Sequence, residues 1–248
     1  MFQGFSPKAN EFLWGIRLNN DRGWFEAHKQ EYLDLVAAPL RELGDEVTQA
    51  FWELFPKWGL NLHVSRIYRD ARRLHGRGPY KDHMWFVLRR PGESWTVRPA
   101  FYFEVAPESY AMGMGCYDAP PAMMARLRAR IDQDPKPLEK LARRLNRQDR
   151  FRLEGQEYKR PKGDPGPLLY PWYNRKGLAL SWEQNWGGTL YSPGAGAGGR
   201  GGVPVFGALL RAAGPAGGRG ADIKQERQGR KALPLLVLSG EQMGALQS

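Results

Sequence analysis

A dense group of charged and aromatic residues between Arg66 and Lys81 is the part of the sequence best suited to chemistry. From Leu60 to Asp82, six arginine or lysine residues stand against two aspartates, a local excess of four positive charges. Neighbouring cations repel one another unless an anion lies among them, and planar guanidinium groups match carboxylate or phosphate oxygens. The pattern therefore predicts a site for an anionic, phosphorylated small molecule. Its expected binding residues are Arg66, Arg69, Asp70, Arg72, Tyr80 and Lys81.

Alternation along the strand expected from Leu62 determines where these side chains point. Arg66 and Asp70 should face one side of the strand while Arg69 faces the other. Asp70 would then orient an arginine, and Tyr80 with Lys81 could close over the ligand. The alternative is a structural network of Arg–Asp pairs that pins the loop to the sheet, with Tyr80 packed beneath it.

Two further pairs of residues are weaker candidates. Gly113 and Gly115 stand between a predicted strand and a helix that begins near residue 121, where free amides could bind a phosphate. Glycines in a strand also mark a bulge or close backbone packing. Asp70 and His83 are the candidate acid/base partners of a hydrolase or nuclease, an interpretation for which the sequence offers no nucleophile.

Motifs for metals and cofactors are absent from the sequence. The four histidines fall at no standard ligand spacing, and there is no HExxH pattern. Cys116 is the single cysteine, so neither a cysteine zinc site nor an intrachain disulfide can form. P-loop and GxSxG patterns are also missing. The sequence predicts no metal and no cofactor, and it leaves open whether the protein is an enzyme.

The net charge offers a second class of partner. The chain of 248 residues carries a formal charge of +11, which attracts polyanions. A nucleic-acid-associated protein would use the cluster and basic helices from Arg126 to Arg147 to contact phosphates without reading bases. A simpler explanation of the charge is an ordinary solvated surface.

Composition indicates a soluble protein of the cytoplasm. The N-terminal residues lack the basic and apolar regions of a secretory signal, and no apolar run reaches the length of a membrane span. A single cysteine favours a reducing compartment. The expected location is cytoplasmic without membrane insertion, and the oligomeric state is not determined by the sequence.

The elements that must position the cluster follow from periodicity. A first helix begins after the Ser6-Pro7 cap, and a long amphipathic helix runs from Asp21 to Phe51, with Pro39 as a place where it could bend. Residues 62–67, 84–88, 100–105 and 110–114 favour strands, and residues 121–131 and 137–145 favour helices. The predicted fold is α+β, an antiparallel sheet with helices mainly on one face.

The domain organisation follows from a change in composition near residue 192. Residues 1–192 are expected to form one α+β domain. Residues 193–248 form a Gly/Ala/Arg-rich tail whose composition cannot bury a core, so disorder or an atypical structure is expected.

The chain resembles the uncharacterised family called domain of unknown function 2461, conserved hypothetical proteins found in bacteria and fungi. The resemblance covers about Phe5 to Glu183. Its most specific motif is SRIYRDAR at residues 65–72 followed by GPYKDH at residues 78–83. Two further patterns are NN at 19–20 with WF at 24–25 and Lys29, and GMG at 113–115 before Tyr117 and Pro120.

The chain departs from the family pattern at Arg73, where an aromatic residue is usual, and at Arg77, where lysine is usual. The likeness ends near Tyr191, where family members continue into a closing helix. The Gly/Ala/Arg tail would then reflect an altered reading frame or a lineage-specific extension. The resemblance implies no mechanism, because the family has no established activity.

Overall fold

The computed structural model describes residues 1–70, 72, 76–91, 99–116 and 118–192. Among these residues, one compact unit takes in 1–91, 100–113 and 182–192, and a second takes in residue 99 and 114–181. The tail at 193–248, predicted to be disordered or atypical, lies outside the described residues.

The first unit begins with two capped helices. Helix α1 spans Pro7–Leu18, and the Ser6 side chain accepts a hydrogen bond from the Lys8 amide, as the Ser-Pro signature predicts. Helix α2 spans Arg22–Ala27, and Asp21 accepts from the Trp24 amide at 3.0 Å.

The single long helix expected after Asp21 is divided in the structure. Helix α2 is followed by the short α3 (Lys29–Glu31), a π-helical segment at Tyr32–Ala37 and then α4 (Ala38–Leu54). Pro39 is the physical reason for the π-helical segment, because it has no N–H to donate to the preceding turn and its ring crowds that turn. The predicted apolar stripe of α4 is buried as expected, at Leu40, Leu43, Val47 and Phe51.

Six antiparallel strands form one sheet in the order β1-β2-β3-β4-β6-β5, and the α+β class is confirmed. Four of them were predicted, although β1 ends at Val64 instead of continuing to residue 67. Strands β5 and β6 were missed because β5 has three residues and the apolar part of β6 is short. The strands are β1 (Asn61–Val64), β2 (Met84–Arg89), β3 (Ala100–Val105), β4 (Ser109–Cys116), β5 (Arg152–Glu154) and β6 (Leu178–Asn185).

The register of the first three strands gives the sheet an apolar face and a polar face. Phe86 lies opposite Phe103, and Leu88 lies opposite Phe101, so these four apolar side chains share one face. That face packs on the N-terminal helices, since Phe51 of α4 lies 4.5 Å from the Phe101 ring. The polar face, on the other side, carries the half-buried side chains of His63, Trp85, Arg89, Tyr102 and Glu104.

The second unit contains the two helices predicted after the sheet. Helix α5 spans Pro121–Gln133, α6 spans Lys136–Asn146, and the short α7 spans Tyr170–Tyr173. The Tyr173 hydroxyl donates to Asp132 at 3.0 Å, which ties α7 to α5. None of the helices in the described part of the chain is both long and apolar enough to cross a membrane.

Candidate functional site

The segment before β2 is held in place by Asn20, which follows α1. Tyr80 donates its amide to Asn20 Oδ1, and Asn20 Nδ2 donates to the Tyr80 carbonyl. Gly78 permits this approach, because a Cβ at that position would collide with Asn20 Oδ1. The Arg69 amide donates to the Pro79 carbonyl and the Lys81 amide donates to the Ile67 carbonyl, on either side of an isolated bridge between Tyr68 and Tyr80. Both halves of the predicted cluster are therefore fixed to each other.

Asp82 is the carboxylate that holds Arg69. The Arg69 guanidinium donates to Asp82 Oδ1 at 3.2 Å, and its Nε donates to the Tyr80 carbonyl at 2.6 Å. The other Asp82 oxygen accepts from Arg17 Nε at 2.6 Å, and Arg17 also pairs with Glu108. Burial raises the pKa of Asp82, but hydrogen bonds from His83 and Arg17 outweigh it and bring the pKa to about 2. Asp82 is thus an ionised centre between two arginines.

Asp70 holds an arginine, as expected, and that arginine is Arg72. Its two oxygens accept from Arg72 Nε and Nη2, at 3.0 and 2.7 Å, in a bidentate pair. Arg72 is 87% exposed. Asp82 is the counter-ion of Arg69. The pair of Asp70 and Arg72 lies on the surface.

Tyr80 is part of the core in this structure. Its side chain is 3% exposed and stacks on Phe25 with ring centroids 4.2 Å apart. Burial is the largest of the effects that raise the pKa of its hydroxyl. The residue therefore supports the cluster from below, which corresponds to the structural alternative considered for it.

Lys81 lies among cations on the side of the polar face. Its Nζ donates to the Arg66 carbonyl at 2.5 Å and lies 5.8 Å from the centre of the Trp85 ring. Burial, then the charges of Arg69 and Arg66, lowers the pKa of Lys81. The guanidinium of Arg66 is exposed, and no side chain in the described part of the chain pairs with it.

His63 is affected by some of the same positive charges. It lies on β1 with its ring 5.7 Å from the Trp85 ring. Burial is the largest effect that lowers the pKa of His63, and the nearby charges of Arg89, Arg66 and Lys81 lower it further. The charges of three cations thus act on one half-buried imidazole beside an aromatic ring.

His83 and Glu104 form a group that sequence analysis found only in part. His83 Nδ1 lies 3.0 Å from Asp82 Oδ1, so its carboxylate partner is the adjacent residue. Glu104 stands opposite Trp85 on β3, and burial, with Asp82 and Glu183 adding to it, raises the pKa of its carboxyl. The available signal for Glu104 was a carboxylate inside the aromatic run AFYFEV.

Gly113 and Gly115 both lie within β4, which extends two residues further than predicted. A Cβ at Gly115 would collide with the Leu178 carbonyl oxygen on β6. The glycine therefore permits close backbone packing between two strands, the alternative that the sequence left open.

The described residues provide no set of ligands for a metal ion. Across the described ranges, no three His, Cys, Asp or Glu side chains are grouped so that they could hold an ion.

The geometry defines an α+β protein whose antiparallel sheet carries half-buried ionisable side chains at the start of β2. The chain belongs to the family of conserved hypothetical proteins described as DUF2461, whose model matches residues 8–183. This confirms the resemblance found in the sequence and nearly the same limits. No curated protein matches the chain.

Proposed function

We propose that this protein binds a small phosphorylated anion through Arg66 and Lys81, at the edge of the polar face. The observation that carries the proposal is the environment of Lys81. Its half-buried ammonium lies near Arg66 and Arg69, and no carboxylate among the described residues pairs with it. A cation that is both desolvated and surrounded by like charges is unfavourable unless an anion compensates it.

Arg66 and Lys81 offer complementary donors to such an anion. The guanidinium of Arg66 can donate to two oxygens of one phosphate, and the ammonium of Lys81 can donate to a third. Arg69 is already hydrogen-bonded to Asp82, so it adds to the positive potential of the site without contacting the anion. The Trp85 ring beside Lys81 supplies a flat surface for the organic part of the ligand.

Two residues of the predicted cluster are less suited to this role. Arg72 is neutralised by Asp70 and lies on the surface, and the side chain of Tyr80 is buried. The proposed contact set is therefore narrower than the whole cluster from Arg66 to Lys81.

Calorimetric titration with inorganic phosphate and pyrophosphate at low salt tests the proposal. Arg66→Met and Lys81→Met, which keep most of the side-chain length, should each weaken binding about tenfold or more, since a charge-assisted hydrogen bond contributes about 1.5–3 kcal/mol. Arg41→Met, at an exposed position of α4, and Arg72→Met remove the same charge from the surface and should change the Kd less than about twofold. Equal weakening by all four variants would reduce the effect to net charge and contradict the proposal.

Nucleic acid is the competing partner suggested by the charge of +11. A titration with duplex DNA at several salt concentrations separates the two, because non-specific binding falls steeply with salt. DNA binding that is unaffected by Arg66→Met and Lys81→Met, together with no binding of phosphate, would show that the proposal is wrong.

A further inference from the structure

His83 is oriented in a way that the anion-binding proposal does not require. Asp82 is fixed by Arg17 and Arg69, and it accepts a hydrogen bond at 3.0 Å from His83 Nδ1. Because Asp82 is ionised, it favours the tautomer in which Nδ1 carries the proton. The basic nitrogen of neutral His83 is then Nε2. This arrangement of carboxylate and imidazole is the one that prepares a histidine to accept a proton.

Glu104 supplies a second ionisable group next to this histidine. Its side chain is half-buried on β3, and no cation pairs with it in the part of the chain that the structure describes. The groups that act on it are His83, Asp82 and Glu183, and Glu183 accepts a hydrogen bond from Ser109. Two negative neighbours and burial favour the protonated form, while His83 opposes it. The pKa values of the two carboxyls are thus shifted in opposite directions, so that Asp82 is ionised and Glu104 favours its protonated form.

Both groups lie beside the proposed anion site. Lys81 Nζ lies 5.8 Å from the centre of the Trp85 ring, and the charge of His83 acts on the Glu104 carboxyl. Glu104 lies directly opposite Trp85 in the register of β2 and β3. The cations, the aromatic ring and the two acid/base groups therefore occupy one end of the polar face.

We infer that His83, oriented by Asp82, and Glu104 form an acid/base pair that hydrolyses a phosphate monoester held by Arg66 and Lys81. The inference rests on the proposed function, since those two cations place the ester. Nothing in a purely structural network would require a carboxyl to be buried next to His83 without a cation of its own.

The chemical step balances with water as the only other reactant. His83 Nε2 takes a proton from water as the water oxygen forms a bond to phosphorus. The bond between phosphorus and the ester oxygen breaks, and the leaving oxygen takes the proton of Glu104. The products are inorganic phosphate and an alcohol. Transfer of the proton from His83 to the Glu104 carboxylate through solvent then restores both groups.

Release of phosphate from p-nitrophenyl phosphate, a sugar phosphate and a nucleoside monophosphate tests the inference with the full chain. His83→Gln and Glu104→Gln should each lower kcat about a hundredfold or more while the Kd for inorganic phosphate changes little. Glu11→Gln removes a carboxylate from an exposed position of α1 and should leave kcat unchanged. Melting curves of all variants verify that they are folded.

The pH dependence of activity distinguishes an acid/base role from a structural one, because a structural role would leave that dependence unchanged. Activity should fall on the alkaline side as Glu104 loses its proton, and Glu183→Gln should move that limb to lower pH because it removes a negative neighbour. Phosphate binding without release of phosphate from any of the three esters overturns the inference and leaves the proposed function standing. Release that is unchanged in His83→Gln also overturns it. Failure to bind phosphate at all overturns the proposed function itself.

Discussion

Asn20 is hydrogen-bonded to both backbone groups of Tyr80, with each donor–acceptor distance 2.9 Å. Sixty residues separate the two in the chain. The pair joins the turn after α1 to the segment that ends in Lys81 and Asp82. Asn20 therefore determines where the cations lie, although its own side chain carries no charge.

Asn20→Ala should lower the free energy of unfolding by about 1–3 kcal/mol, because it leaves the partly buried N–H of Tyr80 without a partner and removes one of the two hydrogen bonds that the Tyr80 carbonyl accepts. Urea unfolding measures the change. The neighbouring Asn19→Ala is the control: Asn19 is exposed, and its side chain donates to the Gly15 carbonyl of its own helix end. Its loss should cost less than about 1 kcal/mol. Equal losses for both variants would mean that the Tyr80 contact contributes nothing special.

Tyr80 should behave as a core residue. Tyr80→Ala removes a ring stacked on Phe25 and should cost about 3–5 kcal/mol, whereas Tyr80→Phe keeps the ring and should leave phosphate binding unchanged. Thermal melts and phosphate titrations of the two variants check this. A loss of binding in Tyr80→Phe would show that the hydroxyl contacts the ligand, as the first interpretation of the sequence allowed.

Asp82 should make stability depend on pH in the acid range. Its pKa is lowered from 3.8 to about 2, so its contribution is complete above the unfolded value, near pH 4, and is lost as pH falls through the folded value. With solvent screening the contribution is about 1–2 kcal/mol. Asp82→Asn should therefore destabilise most at pH 5–7, with the difference from wild type shrinking between pH 4 and 2.

Urea midpoints at half-unit pH steps measure that difference. Glu108→Gln is the control, since Glu108 is exposed and also pairs with Arg17. Its effect should be small at every pH. A difference for Asp82→Asn that stays constant down to pH 2 would contradict the assignment of Asp82 as the ionised centre.

The sequence predicted the elements that periodicity controls. The Ser6 cap, the apolar stripe of α4 and four of the six strands are where alternation and helical spacing place them. The π-helical segment before Pro39 could not be predicted from the sequence, because the amphipathic pattern continues through it unchanged. Strand β5 carries too few residues for any period to be visible.

The partners within the candidate site were harder to predict than its location. Arg69 and Asp70 have different ion-pair partners, and the sequence could not show that Asp82 and Arg17 would complete an ion network from a helix far away in the chain. Glu104 required the register of β2 and β3, which a single sequence does not fix. Long-range pairing is thus the information that was missing.

His63 provides a direct test of the positive field at the polar face. Its pKa is lowered by burial and then by Arg89, Arg66 and Lys81. Arg66→Met removes one of these charges, so the pKa of His63 should rise toward its ordinary value of 6.5. Two-dimensional NMR of the histidine ring signals, followed across pH 4–8, measures it. Arg72→Met should leave the pKa of His63 unchanged, because the charge of Arg72 is paired with Asp70.

Phosphate should move the same signal in the same direction. An anion bound between Arg66 and Lys81 stabilises the imidazolium form of His63, so saturating phosphate should raise the pKa of His63 in the wild-type protein. The shift should be much smaller in Lys81→Met, while His28, stacked on Trp24, serves as the internal reference. Phosphate that binds by calorimetry but leaves the pKa of His63 where it was would place the anion elsewhere on the protein.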